Sequence, residues 1–320
     1  MCVARAQLSP GTVGLALSYA MQITDLLGSV FTQTSQIENN MVSAERIKEY
    51  QHSLPQEAEQ ELDTDPGSEA WPRGGHIDLT NLQMRYREGL PLVLKGVNLT
   101  IQPGEKVGIV GKTGSGKSSL TLSLFRITEA AGGTITIDGR DIAGLGLQTL
   151  RSALTIIPQD PVLFSGSLRL NLDPFSQYTD AEVWAALETA HLKTYASSLP
   201  AGLAWVVAEG GENMATGQRQ LLCLARACLR KTKILFLDEA TANIDLETDD
   251  MIQATIREVF RDCTILTIAH RINTIRDYDK VVVMRNGEVV EVDSPDNLLM
   301  REDSLFYSLA EEERKKKKKE

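Results

Sequence analysis

Hydrophobic and polar positions divide the chain into stretches of different texture. From Val13 to Phe31 apolar residues dominate, but Gln22, Asp25 and two glycines interrupt them, and the polar, helix-like run from Ile37 to Tyr50 follows. The next stretch, residues 51–75, is rich in proline, glycine and acidic side chains, which is typical of a linker. The pattern therefore predicts an N-terminal helical segment that is borderline for a membrane span, followed by a connection to a separate domain.

After Gly75 short β-rich runs alternate with helix-like runs, which predicts a layered α/β domain. The predicted strands are Ile77–Tyr86, Val93–Ile101, Lys106–Val110, Thr134–Ile137, Thr155–Ile157, Ile234–Leu237, Thr264–Ile268 and Val281–Met284. The section from Thr179 to Gly210 departs from the alternation, because its apolar residues recur at roughly helical spacing. It predicts a small helical subdomain inserted between strands.

Composition and charge narrow the class of protein. With 320 residues, 42% of them hydrophobic, the chain is long enough for one large domain plus an appendage. The net charge is −10, and the tail Glu311–Glu320 carries six positive and four negative charges, so the rest of the chain is more acidic still. An acidic body argues against broad nucleic-acid binding. The four cysteines form no CxxC pair, which argues against a zinc site or a disulfide framework.

A phosphate-binding loop follows the third predicted strand. Residues Gly111–Ser118, GKTGSGKS, match G-x-x-x-x-G-K-[ST] between the strand KVGIV and an apolar helix-like run. Glycines let successive backbone N–H groups point inward, and the helix N-terminus faces the phosphates. Lys117 is expected to reach the β- and γ-phosphates, and the Ser118 hydroxyl to bind Mg²⁺. The predicted nucleotide-binding residues of this loop are Gly111, Thr113, Gly114, Ser115, Gly116, Lys117, Ser118 and Ser119.

Acidic residues follow a second apolar strand. The run Ile234–Leu237 ends in Asp238 and Glu239, and buried parallel strands deliver such residues to the ligand-binding edge of an α/β sheet. Asp238 is positioned to hold magnesium, and Glu239 to polarise an attacking water. An acidic residue after a strand is also commonly a helix cap, so the pair alone is only moderately specific.

Two further polar residues end predicted strands. Gln159 follows Pro158 after one strand, and His270 ends the run TIAH after another. A lone histidine at a strand end is more often structural than catalytic. The groups identified so far would need two more to form a nucleotide hydrolase. These are an amide near the metal and the water, which Gln159 could supply, and a donor to the γ-phosphate, which His270 could supply. Gln159 and His270 are therefore candidate catalytic residues beside Glu239 and Lys117.

A second small-residue segment raises a separate question. In GENMATGQRQ, Gly217 is predicted to begin a helix, so the backbone amides around Ala215–Gln218 form another anion site. The first loop already wraps a triphosphate from the side of the sheet. The residues Ala215, Thr216, Gly217 and Gln218 are therefore expected to face a nucleotide bound by another polypeptide segment.

At this point the sequence resembles the ATP-binding cassette family over His76 to Ala310. The matching elements are Tyr86, 25 residues before Gly111, as the adenine-stacking aromatic; Gly111–Ser118 as Walker A; Gln159 as the Q-loop; Glu212–Gln220 as the signature; Ile234–Glu239 as Walker B; Ala242–Asp245 as the D-loop; and His270 as the switch histidine. The amino-acid sequence around these motifs resembles that of the second, C-terminal cassette of the C subfamily, the multidrug-resistance-associated proteins. These seven ordered elements together are very specific.

The resemblance implies a fold, ligands and partners. The fold is an α/β P-loop NTPase core of ABC ATPase type with a β subdomain and an inserted helical subdomain. ATP and Mg²⁺ are the implied ligands, with Ser118, Gln159 and Asp238 at the metal. The implied partners are a second nucleotide-binding domain in a head-to-tail sandwich and transmembrane domains, with the ATPase domain on the cytoplasmic face of a membrane and no nucleic acid. The implied function is ATP hydrolysis that powers export.

The resemblance also divides the chain. Residues 1–50 look like the remnant of the last transmembrane helix and its cytosolic extension. Residues 51–75 form a linker, 76–310 the ABC ATPase domain and 311–320 a charged tail. The transported substrate is not specified, although the subfamily implies organic anions or glutathione conjugates.

One residue departs from the family pattern. The signature usually reads Leu-Ser-x-Gly-Gln, whereas Met214 and Ala215 stand in the first two positions here. Ala215 lacks the hydroxyl that would bond the partner's γ-phosphate, a loss of about 1.5–3 kcal/mol, and Thr216 is a poor substitute. In the C subfamily the site completed by this signature is typically the weakly hydrolytic one. An alternative hypothesis is therefore a truncated, non-transporting module that regulates or binds a partner in a nucleotide-dependent way.

Overall fold

The computed structural model describes residues 9–66, 71–238, 246–269 and 271–317. Contacts divide the chain into two compact units, residues 1–58 and residues 59–320. Glu239, the predicted D-loop Ala242–Asp245 and His270 lie outside the described residues.

The first unit is one long helix, α1, Pro10–Ser53. Ser9 is its N-cap, since its hydroxyl accepts from the Thr12 N–H at 3.3 Å, and Pro10 follows in the first turn, where its missing N–H has no cost. The two stretches that the sequence suggested, Val13–Phe31 and Ile37–Tyr50, are thus one continuous helix. None of its 44 described residues is buried within the structure, and it is long and apolar enough to cross a membrane by length and composition alone.

The second unit alternates strands and helices. In chain order its elements are β1 Ile77–Met84, β2 Leu94–Ile101, β3 Lys106–Val110, α2 Lys117–Leu124, β4 Gly132–Ile137, β5 Arg140–Asp141, α3 Leu147–Ala153, β6 Leu154–Ile157, β7 Gly166–Ser167, α4 Leu168–Leu172, α5 Asp180–Thr189, α6 Lys193–Ser198, β8 Val206–Val207, α7 Thr216–Arg230, β9 Ile234–Asp238, α8 Leu246–Val259, β10 Thr264–Ile268, β11 Lys280–Arg285, β12 Glu288–Asp293, α9 Pro295–Met300 and α10 Leu305–Lys317. The predicted boundary at residue 310 falls inside α10.

Two main sheets organise the described part of this unit. The six-stranded sheet has the order β12-β11-β3-β10-β9-β6 and is parallel except for β12, while β2-β1-β4-β5 form an antiparallel sheet. Both faces of the larger sheet are covered by apolar side chains, as strand β9 illustrates. Ile234 and Phe236 pack into one apolar cluster and Leu235 and Leu237 into another, as the period of two requires.

The helical subdomain lies between β6 and β9 in the chain, as the sequence predicted. Helices α4, α5, α6 and α7 belong to it, and their buried residues join the cluster that contains Leu235 and Leu237. The N-terminus of α5 is well specified, because Thr179 and Glu182 form a reciprocal capping box. The subdomain is therefore packed directly onto the sheet that carries the phosphate loop.

Part of the predicted linker is fixed to the second unit. The backbone carbonyls of Glu59 and Gln60 accept from Leu147 and Gln148 at the start of α3, at 3.0 and 2.9 Å. Asp65 accepts from the Gly146 N–H at 2.8 Å and from the Thr149 hydroxyl at 2.8 Å. The carbonyls and carboxylate satisfy N–H groups that a helix N-terminus leaves without partners.

A second carboxylate anchors the end of the same segment. Asp138 accepts from four consecutive backbone N–H groups, those of residues 73–76, at 2.7–3.3 Å. Burial opposes ionisation of Asp138, but these N–H donors outweigh it and hold the pKa of the carboxyl below its ordinary value of 3.8. The chain therefore enters β1 through a fixed turn.

Candidate functional site

Strand register brings the predicted site residues to one edge of the parallel sheet. Ile157 of β6 lies opposite Leu237 of β9, and Asp238 lies opposite Ile268 of β10. Ile268 in turn lies opposite Ile109 of β3. Gln159, Asp238 and the phosphate loop thus follow the carboxyl ends of neighbouring strands, where α/β folds bind ligands. Glu239 and His270 directly continue two of these strands in sequence, although their own placement lies outside the described residues.

Glycines shape the loop between β3 and α2. Gly116 has a φ of +104° and is the N-cap of α2, a conformation that favours glycine. A side chain at Gly111 would place its Cβ 2.4 Å from the Met284 carbonyl oxygen, so the close approach of the loop to β11 also requires glycine. The loop conformation is therefore fixed by residues that the motif specifies.

The lysine of the loop is folded against the loop itself. Lys117 is 6% exposed, and its Nζ donates to the carbonyls of Gly111 at 2.7 Å and Lys112 at 3.3 Å. The ammonium group is thus held within the turn that would receive phosphate oxygens. The role of Lys117 at the β- and γ-phosphates stays a prediction.

Tyr86 contacts the helix that follows the loop. Its ring is half exposed, and its hydroxyl lies 2.9 Å from Oγ of Ser119, which is buried in the first turn of α2. The role of Tyr86 in adenine stacking stays a prediction, which its half-exposed side chain permits. This contact occupies the Ser119 hydroxyl, and the predicted role of Ser119 in nucleotide binding stays a prediction.

The residues of the loop fit a nucleoside triphosphate with a divalent cation. No side chain caps α2, so the N–H groups of its first turn remain for an anion. Ser115 Oγ is buried and has no hydrogen-bond partner among the described residues. Ser118 is exposed beside this helix end, and Asp238 and Gln159 supply the oxygen donors that Mg²⁺ prefers.

The sequence did not single out Gln220, which joins two predicted motifs. This side chain of α7 is 3% exposed, and its Nε2 donates to the backbone carbonyls of Gln159 at 2.6 Å and Pro158 at 3.3 Å. The signature helix is thereby bonded to the Q-loop. The signal in the sequence that could have identified Gln220 is its position within an apolar helix-like run, because an amide buried there needs a hydrogen-bond partner.

The signature helix begins one residue earlier than the sequence predicted. Thr216 is the first residue of α7 and Ala215 is its N-cap, whereas Gly217 was predicted to begin the helix. Gln218 Oε1 accepts from the Ala215 N–H at 3.0 Å, and the reciprocal half of a capping box is missing because alanine has no side-chain oxygen.

The hydroxyl of Thr216 accepts one hydrogen bond and can still donate another. Its Oγ1 accepts from the Arg219 guanidinium at 3.2 Å, and a hydroxyl that accepts still has its own proton to donate. Arg219 also donates to the Gly210 carbonyl at 3.1 Å, so it fixes the turn before α7. Thr216 is the remaining hydroxyl of this short segment.

Comparison with known proteins agrees with this geometry. Residues 94–242 match the ABC transporter family. The mouse ATP-binding cassette sub-family C member 3 is 55% identical over 310 residues, which are 97% of this chain and 20% of that protein. The rat ATP-binding cassette sub-family C member 2 is 55% identical over 312 residues, 98% of this chain and 20% of that protein. A bacterial Atm1-family ABC exporter, solved with ATP bound, superposes with a TM-score of 0.77 at 31% identity, over 93% of this chain and 50% of the other.

The chain carries an ABC transporter domain over residues 94–242. The resemblance inferred from the motifs is thus confirmed, together with the α/β P-loop fold and the assignment as an ABC transporter ATPase domain similar to the multidrug-resistance-associated exporters. The chain spans about a fifth of the length of these curated relatives.

Proposed function

We propose that the chain is the C-terminal nucleotide-binding domain of a C-subfamily ABC exporter. In this proposal it binds Mg-ATP at its own Walker A loop, pairs head to tail with a second nucleotide-binding domain, and couples hydrolysis to export by transmembrane domains. The observation that carries the proposal is the register that aligns β6, β9, β10 and β3, because it gathers the Q-loop, Walker B and Walker A at one edge.

Phosphate binding is assigned to the loop and α2. The backbone N–H groups from Gly116 to Ser119 face the phosphates, and the Lys117 ammonium leaves its loop carbonyls for the β- and γ-phosphate oxygens. Tyr86 stacks on the adenine through its exposed face. Together these groups orient the γ-phosphate, which is the main requirement for phosphoryl transfer.

Metal binding and water activation are assigned to the neighbouring strand ends. A bound Mg²⁺, held by Ser118, Gln159 and Asp238, would neutralise charge on the β- and γ-phosphates. Glu239 orients and polarises the attacking water, and His270 donates to the γ-phosphate. These roles need a carboxylate and an imidazole on adjacent strands, which β9 and β10 supply in sequence.

The signature is assigned to the nucleotide of the partner. Ala215, Thr216, Gly217 and Gln218 form the start of α7, whose positive end suits a γ-phosphate. Membrane association is supported by α1, which we propose to be the end of the last transmembrane helix, with the ATPase domain on the cytoplasmic face.

Replacing Glu239 with glutamine tests the assignment. We expect Glu239→Gln to retain ATP binding but to lower kcat by about 100-fold or more, since the amide cannot take a proton from water. The measurement is phosphate release and ATP binding by the chain purified with its transmembrane domains and second nucleotide-binding domain. Glu258→Gln, an exposed acid of α8, is the matched control. Wild-type turnover in Glu239→Gln would remove this residue from the water-activating role, and an absence of ATP binding by the wild type would overturn the proposal.

A further inference from the structure

Helix α10 packs against the starting points of two functional loops. Phe306 is fully buried in a cluster that includes Val110 and Ala269. Val110 immediately precedes the Walker A loop, and Ala269 immediately precedes His270. The helix is therefore anchored where the phosphate loop and the switch segment leave the sheet.

Two turns further along α10, a carboxylate contacts the switch segment. Glu313 lies seven residues after Phe306, hence on the same side of the helix, and is half-buried. Its Oε2 accepts from the backbone N–H of Ile272 at 2.8 Å. Ile272 begins the 3₁₀ turn Ile272–Ile275, and the N-cap residue Arg271 supplies no side-chain cap. Glu313 therefore supplies, from a distant helix, the anionic cap that this turn otherwise lacks.

The same segment is held from a second side. The Arg271 guanidinium lies 3.4 Å from Oδ2 of Asp249, whose side chain is 14% exposed. Asp249 is in the first turns of α8, which follows the predicted D-loop. Two carboxylates on two helices thus fix consecutive residues directly after His270.

We propose that Glu313 is a positioning residue for ATP hydrolysis, acting through the backbone of the segment that carries His270. The inference rests on the proposed function, because it assumes that His270 acts on the γ-phosphate. The cap at Ile272 fixes the chain two residues beyond the imidazole. Displacement of a catalytic group by about 1 Å costs up to 100-fold in rate, so loss of one backbone anchor at this distance is expected to lower turnover.

The ion pair between Glu312 and Lys112 does not anchor α10 as the hydrogen bond of Glu313 does. Glu312 Oε1 lies 3.8 Å from Nζ of Lys112 in the Walker A loop, but these side chains are 61% and 76% exposed. An exposed pair of this length contributes little. The anchoring of α10 to the catalytic loops is therefore assigned to Phe306 and Glu313.

Substitution of Glu313 separates positioning from simple stabilisation. In the chain purified with its transmembrane domains and second nucleotide-binding domain, we expect Glu313→Ala to lower kcat about tenfold while the KM for ATP stays within twofold. Glu313→Gln keeps an acceptor oxygen and is expected to recover kcat to within about threefold of wild type. Glu311→Ala is the matched control, since Glu311 pairs only with Arg314 and Lys315 of its own helix among the contacts seen. Wild-type kcat in Glu313→Ala would overturn the proposal.

A backbone substitution tests the same hydrogen bond from its other end. Ile272→Pro removes the N–H donor without straining the backbone, because proline suits the first position of a helical turn and Arg271, at φ −107° and ψ 117°, already has the extended conformation that a following proline demands. Ile272 also packs its side chain against the cluster of Phe306, so Ile272→Ala, which keeps the N–H, is the control for loss of that side chain. We expect this variant to reproduce the kcat loss, and Ile272→Pro/Glu313→Ala to be no slower than the slower single variant. Additive losses, or full activity in Ile272→Pro, would contradict the proposal. If Glu313→Ala does not fold, Ile272→Pro alone decides by the same criterion.

Failure of this inference and failure of the proposed function give different results. If Glu239→Gln abolishes turnover while the Glu313 and Ile272 variants remain fully active, only the positioning role is wrong. If Glu239→Gln retains full turnover, the assigned hydrolysis site itself is wrong.

Discussion

At the scale of single residues, Tyr86 combines a contact through its hydroxyl with a half-exposed side chain. Its hydroxyl contacts Ser119 of α2 at 2.9 Å, and half of its surface remains exposed. An aromatic ring held by its hydroxyl loses little freedom when a base stacks on it. Tyr86 is thus already oriented relative to the helix that receives the phosphates.

We expect Tyr86→Ala to weaken ATP binding about tenfold, because base–aromatic stacking contributes roughly 1–3 kcal/mol. Tyr86→Phe keeps the ring and is expected to lose no more than about threefold, the value of one neutral hydrogen bond. Binding of inorganic triphosphate, which has no base, is the internal control and should be equal in all three proteins. Equal losses for ATP and triphosphate would show that Tyr86 acts on the phosphate loop and not on adenine.

The residues that the sequence identified and those that it missed differ in a physical way. Lys117 and Gly116 were identifiable because their roles depend on local backbone geometry within one loop. Gln220 and Glu313 act across 61 and 41 residues of chain, on the backbone of Gln159 and Ile272. Such contacts depend on how helices pack on the sheet, which no local pattern encodes.

At the scale of elements, the entry into β1 is fixed by one carboxylate. Asp138 accepts from the N–H groups of residues 73–76, and the nearby Trp71 indole N–H donates to the Ile137 carbonyl at 3.3 Å. Asp138 itself has a φ of +48°. Asparagine tolerates this conformation, so Asp138→Asn changes charge and acceptors without adding backbone strain.

We expect Asp138→Asn to lower the free energy of unfolding by about 1–2 kcal/mol at pH 7. The folded-state pKa lies below the ordinary 3.8, so the stabilisation is full above that value and is lost as pH falls through the folded-state pKa. Urea unfolding at a series of pH values, followed by tryptophan fluorescence, measures the difference. Asp303→Asn, at an exposed position, is the control. A difference that grows towards low pH would contradict this role of the carboxylate.

Strand prediction succeeded where burial is continuous and failed at an edge. Lys106–Val110 and Thr264–Ile268 agree residue for residue with β3 and β10, whose apolar runs are covered on both faces. Strand β12 was missed because one of its faces is exposed and the order of its charged residues and valines, EVVEVD, does not follow a period of two. Asn286–Gly287, both at positive φ, is the hairpin signal that could have identified it.

At the scale of the whole molecule, the chain presents two helix N-termini that we propose as anion sites. The loop before α2 and the start of α7 each present a helix N-terminus, and in the proposed sandwich they face different nucleotides. Ala215 is exposed at the second site. A hydroxyl at this position would cap α7 and reach the partner's γ-phosphate.

Ala215→Ser is expected to tighten ATP binding at the site shared with the partner domain about tenfold or more, since a hydrogen bond to a charged group contributes about 1.5–3 kcal/mol. Photolabelling of the partner domain with azido-ATP in the assembled transporter measures this affinity. Ala215→Gly is the control, because glycine is also an acceptable N-cap but carries no hydroxyl. Equal labelling in the serine and glycine variants would mean that the Ala215 position does not face the partner's nucleotide.

Gln220 gives the two nucleotides of the proposed sandwich a short mechanical connection. Its side chain joins the Q-loop backbone, beside one ATP, to the helix whose first turn faces the other. A rotation of α7 on release of the partner's nucleotide would pull directly on the carbonyls of Pro158 and Gln159. The two ATP molecules would then turn over as a coupled pair and not as independent events.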